Sequence, residues 1–91
     1  MLSWTAHVEF AVEVITRLRD LQAALRAAQL KQRDIGAERL IIVVAGTNAN
    51  RRLLDAARPA LVASFELDTR RTLATLAAGQ DPGRDAIIVL E

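Results

Sequence analysis

The stretch that decides the fold is Leu40-Ile41-Ile42-Val43-Val44-Ala45, six consecutive apolar residues followed by Gly46. Four of the six are β-branched, and no polar residue interrupts them, which is typical of a strand that is covered on both faces. A second run of the same character, Ala86-Ile87-Ile88-Val89-Leu90, lies near the other end of the chain. We predict that these two runs lie side by side inside one sheet.

Two other segments have strand patterns of a different kind. From position 7 to 14 the residues alternate, which indicates a half-buried strand with one wet face. The apolar side carries Val8, Phe10, Val12 and Val14, and the wet side carries His7, Glu9, Ala11 and Glu13. Residues Leu61 to Leu67 predict a further strand, with Phe65 as its large anchor.

Three helical segments separate these strands. Thr16 is a suitable N-cap for a helix that ends near Gly36, because Leu18, Leu21, Leu25 and Ala28 follow at three- and four-residue spacing. Thr47 or Asn48 caps a second helix that reaches about Ala57, before Pro59. Asp68 caps a third helix from Thr69 to Ala78, which we expect to bury Leu73 and Leu76.

The predicted order is therefore β-α-β-α-β-α-β, an α/β fold with a mainly parallel four-stranded sheet flanked by helices. The 91 residues show no linker or repeat, so we predict a single domain over 1–91. A chain of this length buries only about 60% of its unfolded surface, so its core is thin. The sequence has no cysteine, which leaves apolar packing and self-association to stabilise it.

Charge and hydropathy limit the classes of function. We expect a cytoplasmic protein without a membrane segment, since no signal peptide is visible and the longest apolar run is short. The net charge of +1 provides no general attraction to nucleic acid, so a basic patch must be local. Eleven of the twelve basic residues are arginine.

Arginines occur in three places where they suggest anion contact. Arg19, Gln22, Arg26, Gln29 and Arg33 form a polar stripe on the first helix, which is either a solvated face or a phosphate contact. The segment Gly46–Arg52 joins a strand end to a helix N-terminus, where backbone N–H groups attract anions, and Asn50, Arg51 and Arg52 add donors. Arg70 and Arg71 repeat this layout after Asp68.

The acidic residues predict no metal site by themselves. Glu9 and Glu13 share a strand face but lie about 13 Å apart, too far to bind one ion together. Asp20 is the nearest candidate partner in sequence, and the alternative is that these acids simply face solvent. His7 is the only histidine, which we interpret as a surface residue, and no glycine-rich nucleotide-binding motif is present.

Four segments resemble a known domain: Glu13–Gln22, Leu30–Asp34, Val43–Arg51 and Leu76–Gly83. They are similar to the C-terminal domain that follows a helix-turn-helix module in a family of regulators from high-GC bacteria. The resemblance implies a restriction-endonuclease-like fold of the PD-(D/E)xK type, with Glu13 in the acidic strand position and Gln22 on the next helix. Ile15 stands where that motif has a second acid or a lysine, and from the sequence we expect neither the usual upstream hairpin nor the helix-turn-helix module in these 91 residues.

We therefore expect a non-catalytic interaction or regulatory domain, self-associating, related to a transcriptional regulator or to the antitoxin of a toxin–antitoxin pair. One alternative is a nuclease-like DNA-processing domain that uses Mg²⁺, with Glu13, Asp20 and Gln22 as catalytic candidates. Another is a module that binds the DNA backbone through its arginines. The expected partners are a second copy of the chain, another protein or DNA, with no resident cofactor or metal.

Overall fold

A computed structural model describes residues 8–91 in full and residues 2–5 as backbone. The first predicted strand began at His7, which lies outside the described residues. The strands are β1 (Leu2–Thr5), β2 (Glu9–Ile15), β3 (Arg39–Ala45), β4 (Phe65–Glu66) and β5 (Asp85–Leu90). The helices are α1 (Leu21–Ile35), α2 (Asn48–Leu61) and α3 (Thr69–Ala77).

The strands form one sheet in the order β1-β2-β3-β5-β4. The neighbouring pairs β2–β3, β3–β5 and β5–β4 are all parallel. This confirms the predicted α/β class and the β-α-β-α-β-α-β order. The two apolar runs lie side by side as predicted, with Ile42 opposite Ile87 and Val43 opposite Ile88. The antiparallel edge strand β1 was not predicted, because its four residues show no strand pattern. Its antiparallel pairing with β2 corrects the expectation that no hairpin precedes the strand of Glu13.

The sheet separates two groups of buried side chains. On the first face Leu40, Ile42, Val44 and Ile87 pack with Ala28 of α1 and Leu54 of α2. On the second face Ile41, Ala86 and Ile88 pack with Leu76 of α3. Right-handed crossovers explain this division, because α1 and α2 connect strands in one direction along the sheet and α3 returns in the other.

The predicted wet face of β2 was wrong. Ala11 has 0% of its surface exposed and belongs to the first-face core, whereas Val14 on the supposedly buried side is 60% exposed. The alternation correctly separated the two sides of the strand. Both sides are covered in part, because Phe10 on the predicted apolar side is 2% exposed and belongs to the second-face core, while α1 contacts β2 from the first face.

Three predicted element boundaries also need correction. Helix α1 begins at Leu21, with Asp20 rather than Thr16 as N-cap; the Asp20 carboxylate accepts from the Ala23 N–H at 3.1 Å. Helix α2 continues through Pro59 to the buried Leu61, and apolar burial offsets part of the proline's cost. As a result the predicted strand at 61–67 is reduced to two residues.

Helix α3 ends at Ala77 and buries Leu76 only in part, while Leu73 is 42% exposed instead of buried. Among the described residues, no helix combines the length and the hydropathy that crossing a lipid bilayer requires.

Candidate anion-binding edge of the sheet

The parallel topology brings three strand-to-helix junctions to one edge of the sheet. They are residues 16–20 between β2 and α1, 46–47 between β3 and α2, and 67–68 between β4 and α3. Because each helix runs back against its strand, the N-termini of all three helices share this edge with the end of β5. We call it the carboxyl edge. Helix N-termini there present backbone N–H groups and the positive ends of the helix dipoles.

The first two junctions are joined by the side chain of Asn50. Its Oδ1 accepts a hydrogen bond from the Leu18 N–H at 2.9 Å. Its Nδ2 donates to the carbonyl oxygens of Thr16 at 3.1 Å and Ala45 at 2.9 Å. Asn50 is 1% exposed, so this amide positions the junctions and does not face solvent as an anion-binding residue would.

The second and third junctions meet at the end of β5. The Gly46 N–H donates to the Leu90 carbonyl, and Arg51 Nη2 donates to Glu91 Oε1 at 3.0 Å. On the other side of β5, the Thr69 hydroxyl oxygen accepts from the Val89 N–H at 2.9 Å. The three junctions therefore form one continuous surface.

Each junction carries two arginines close to the helix start, so that six of the eleven arginines lie on the carboxyl edge. Five of the six are exposed and have no side-chain hydrogen bond or ion pair within residues 8–91. These five are Arg17, Arg19, Arg52, Arg70 and Arg71. The sixth, Arg51, is held by Glu91 and by the Gly46 carbonyl.

The carboxylates on the same edge are already engaged. Asp20 and Asp68 cap their helices, Glu66 accepts from the Asp68 N–H, and Glu91 pairs with Arg51. Six arginines against these four carboxylates leave a local charge of +2, although the whole chain carries only +1. The edge thus combines a local positive charge with guanidinium donors that have no partner in the described part of the chain.

The helix starts are unusual in their charge. None of the three helices has an acidic residue in its first turn, where the dipole favours one. In α3 the first turn contains Arg70 and Arg71 instead. The two arginines in the first turn of α3 cost only about 0.3–1 kcal/mol, and neither has a side-chain hydrogen bond or ion pair within residues 8–91 that offsets this cost.

The polar stripe predicted on α1 is divided by the structure. Arg19 precedes the helix and belongs to the carboxyl edge. Arg26, with Gln22 and Gln29, lines a hollow of about 350 Å³ between α1 and α2. Arg33 lies in the last turn, at the opposite end of the helix. The shared spacing therefore does not correspond to one phosphate-binding face.

The three acidic or polar residues proposed for nuclease chemistry are not gathered into a site. Glu13 pairs with Lys31 at 3.4 Å, and its buried Oε2 has no hydrogen-bond partner. Lys31 lies about 16 Å along α1 from Asp20, at ~1.5 Å per residue. Asp20 is the helix cap, and Gln22 is exposed beside the hollow between α1 and α2. Within the described residues, no three acidic or histidine side chains are grouped to hold a metal ion.

Sequence reasoning identified the second and third junctions but missed Arg17. The signal was present, since Arg17 and Arg19 flank Leu18 just before Asp20. It would have been recognised if Asp20, a better cap than Thr16, had been chosen as the helix start.

No protein-family model, curated protein or solved structure matches this chain. The resemblance to the nuclease-like domain of bacterial regulators therefore stays a prediction. The carboxyl edge is defined by the geometry of the chain alone.

Proposed function

We propose that this chain is a non-catalytic interaction domain that binds the phosphates of nucleic acid with the carboxyl edge of its sheet. The observation that supports it most is that three helix N-termini share one surface with five arginines whose side chains have no partner within residues 8–91. In a transcriptional regulator or antitoxin, such a domain would add affinity for DNA without reading its sequence.

The chemistry of the edge suits a phosphate backbone. Guanidinium groups bind phosphate oxygens with two parallel hydrogen bonds, and they remain charged at every physiological pH. Six arginines spaced along three junctions match a repeating anion better than a single small one. Phosphate contacts position a protein on nucleic acid but carry little sequence information, so the binding should tolerate any sequence.

The test is a titration of a short fluorescein-labelled DNA duplex, followed by anisotropy at several salt concentrations. Binding should weaken steeply with salt, because each neutralised phosphate releases counterions. The double variant Arg70→Ala/Arg71→Ala should weaken binding and reduce the slope of log K against log salt by about 0.9 for each phosphate that is no longer neutralised. Arg17→Ala/Arg19→Ala should behave similarly.

The matched control is Arg26→Ala/Arg33→Ala, which removes the same charge from exposed positions of α1 outside the carboxyl edge. It should retain most of the affinity. The proposal fails if the wild type does not bind at low salt, or if the control loses as much affinity as the Arg70/Arg71 variant. Plasmid cleavage with Mg²⁺ that disappears in Glu13→Ala would instead favour the nuclease alternative.

Self-association is a second candidate, supported by an uncovered part of the second sheet face. Val14 and Leu90 are 60% and 46% exposed and line one hollow with the half-buried Val43. A second copy could cover these side chains, which a thin core leaves exposed. Sedimentation equilibrium should then show a dimer that Val14→Asp dissociates, and a strict monomer at high concentration would remove this candidate.

A further inference from the structure

A groove lies beside the second half of β5, between α2 and the start of α3. Strand β4 ends at Glu66, so the first turn of α3 takes the place beside β5 that a longer strand would occupy. The hydrogen bond from the Val89 N–H to Thr69 Oγ1 fixes this arrangement. Helix α2 belongs to the first face of the sheet and α3 to the second, and crevices between such helices are the usual ligand sites of open α/β sheets.

The groove has the size and the lining of a small-molecule site. Its volume is about 550 Å³, within the range of about 300–1,000 Å³ that is typical of ligand pockets. Its apolar lining consists of Leu54, Leu67, Leu73, Ile87 and Val89. Leu73 was predicted to be buried, but it is 42% exposed and lines this groove.

The groove has more positive than negative side chains without a partner in the described residues. Arg58 on α2 and Arg70 on α3 line it from its two helical walls, and neither has a side-chain partner within residues 8–91. Arg51 and Glu91 pair with each other at 3.0 Å. Asp55 is then the one remaining carboxylate of the lining, against two guanidinium groups with free donors.

From this combination we infer that the groove binds a small amphipathic anion, with its apolar body on Leu54, Leu73 and Val89 and its anionic group between Arg58 and Arg70. A neutral ligand would leave the guanidinium groups of Arg58 and Arg70 without an anionic partner. An inorganic anion would bury no apolar surface and would therefore gain nothing from the hydrophobic effect in this groove. Arg70 belongs to both the groove and the carboxyl edge, whereas Arg58 lines only the groove and lies in the last turn of α2. Arg58→Ala therefore separates this inference from DNA binding.

The experiment uses 8-anilinonaphthalene-1-sulfonate as the probe and N-phenyl-1-naphthylamine as its matched neutral analogue. Titration of the wild type should show saturable fluorescence enhancement with the sulfonate and clearly weaker binding of the amine. Arg58→Ala and Arg70→Ala should each weaken sulfonate binding about fivefold or more, as expected for a charge-assisted hydrogen bond. Neither variant should change binding of the neutral amine.

Arg26→Ala is the matched control, since Arg26 lines the other hollow, between α1 and α2. It should leave sulfonate binding unchanged, and Arg58→Ala should leave DNA binding largely intact. Backbone amide NMR of the wild type locates the probe without any variant, with the largest shifts expected at Leu54, Leu73 and Val89. Equal binding of both probes, equal losses in Arg26→Ala and Arg58→Ala, or shifts centred on Gln22 and Phe65 would each overturn the inference.

Discussion

The buried amide of Asn50 accepts a hydrogen bond from the backbone N–H of Leu18 at 2.9 Å, across 32 positions of the chain. Through this bond the first residues of α2 hold the loop that precedes α1. The loop therefore stays extended until Asp20, and α1 begins at Leu21. The same bond places Arg17 and Arg19 beside the start of α2, so one buried residue organises much of the carboxyl edge.

Asn50→Ala should be among the most destabilising single substitutions. It leaves the Leu18 N–H and the carbonyls of Thr16 and Ala45 without their partner in a buried position, for a loss of about 3 kcal/mol in the free energy of unfolding. Urea denaturation measures this loss. Asn50→Asp should be at least as damaging, because a carboxylate would face two carbonyl oxygens. A loss below about 1 kcal/mol for Asn50→Ala would contradict this role.

Thr69→Val keeps the shape of the side chain but removes the oxygen that accepts from the Val89 N–H. We expect a destabilisation of about 1–2 kcal/mol and faster hydrogen exchange at the Val89 amide. The control is Thr75→Val, which makes the same change in the same helix where the hydroxyl only donates to the Arg71 carbonyl. Equal effects of the two variants on Val89 exchange would show that Thr69 does not protect this strand.

Gly46→Ala tests the close approach of the second junction to the end of β5. An added Cβ would lie 2.8 Å from the Leu90 carbonyl oxygen and 2.8 Å from Arg51 Nη2. Arg51 can move, but the Leu90 oxygen belongs to the backbone of β5, so we expect a loss of about 1–3 kcal/mol in thermal or urea unfolding. Gly36→Asn should cost less than Gly46→Ala, because nothing lies within 4 Å of the added Cβ and asparagine tolerates the left-handed backbone better than most residues.

The Asp81 carboxylate should make stability depend on pH in the acid range. The Gly83 N–H, and then the Arg39 guanidinium at 3.0 Å, hold the pKa of Asp81 below its ordinary value of 3.8, against the opposing effect of burial. Because the pKa of Asp81 is lower in the folded chain than in the unfolded chain, the ionised carboxylate makes its full contribution to stability above pH 3.8. This contribution is lost as the pH falls through the pKa of Asp81 in the folded chain.

Asp81→Asn should therefore reduce the free energy of unfolding at neutral pH, and the difference from wild type should shrink as the pH falls below 3.8. Urea midpoints measured at neutral pH and near pH 2 check this. Asp55→Asn is the control, since Asp55 is exposed and has no side-chain partner in the described residues. A constant difference between Asp81→Asn and wild type at both pH values would contradict the prediction.

Much of the fold followed from local pattern. The uninterrupted β-branched run at Leu40–Ala45 and its counterpart at Ala86–Leu90 identified the two central strands, because only a strand covered on both faces dispenses with polar residues. The alternation of strands and helices then implied a parallel sheet. In a parallel sheet the carboxyl ends of all strands, and the helix N-termini that follow them, lie at the same edge. That is why Arg51, Arg70 and Arg71 could be assigned to helix starts from the sequence alone.

Tertiary structure decided what no local pattern contains. Alternation in β2 separates two sides, but only packing against other elements determines that Ala11 on the first face is covered and that Val14 on the second face is exposed. Spacing placed Arg19 on a helix, whereas the hydrogen bonds of Asn50 keep it in a loop. Sequence periodicity depends only on the local conformation of a segment. Burial and loop position depend on contacts with residues tens of positions away, and these contacts form only in the folded chain.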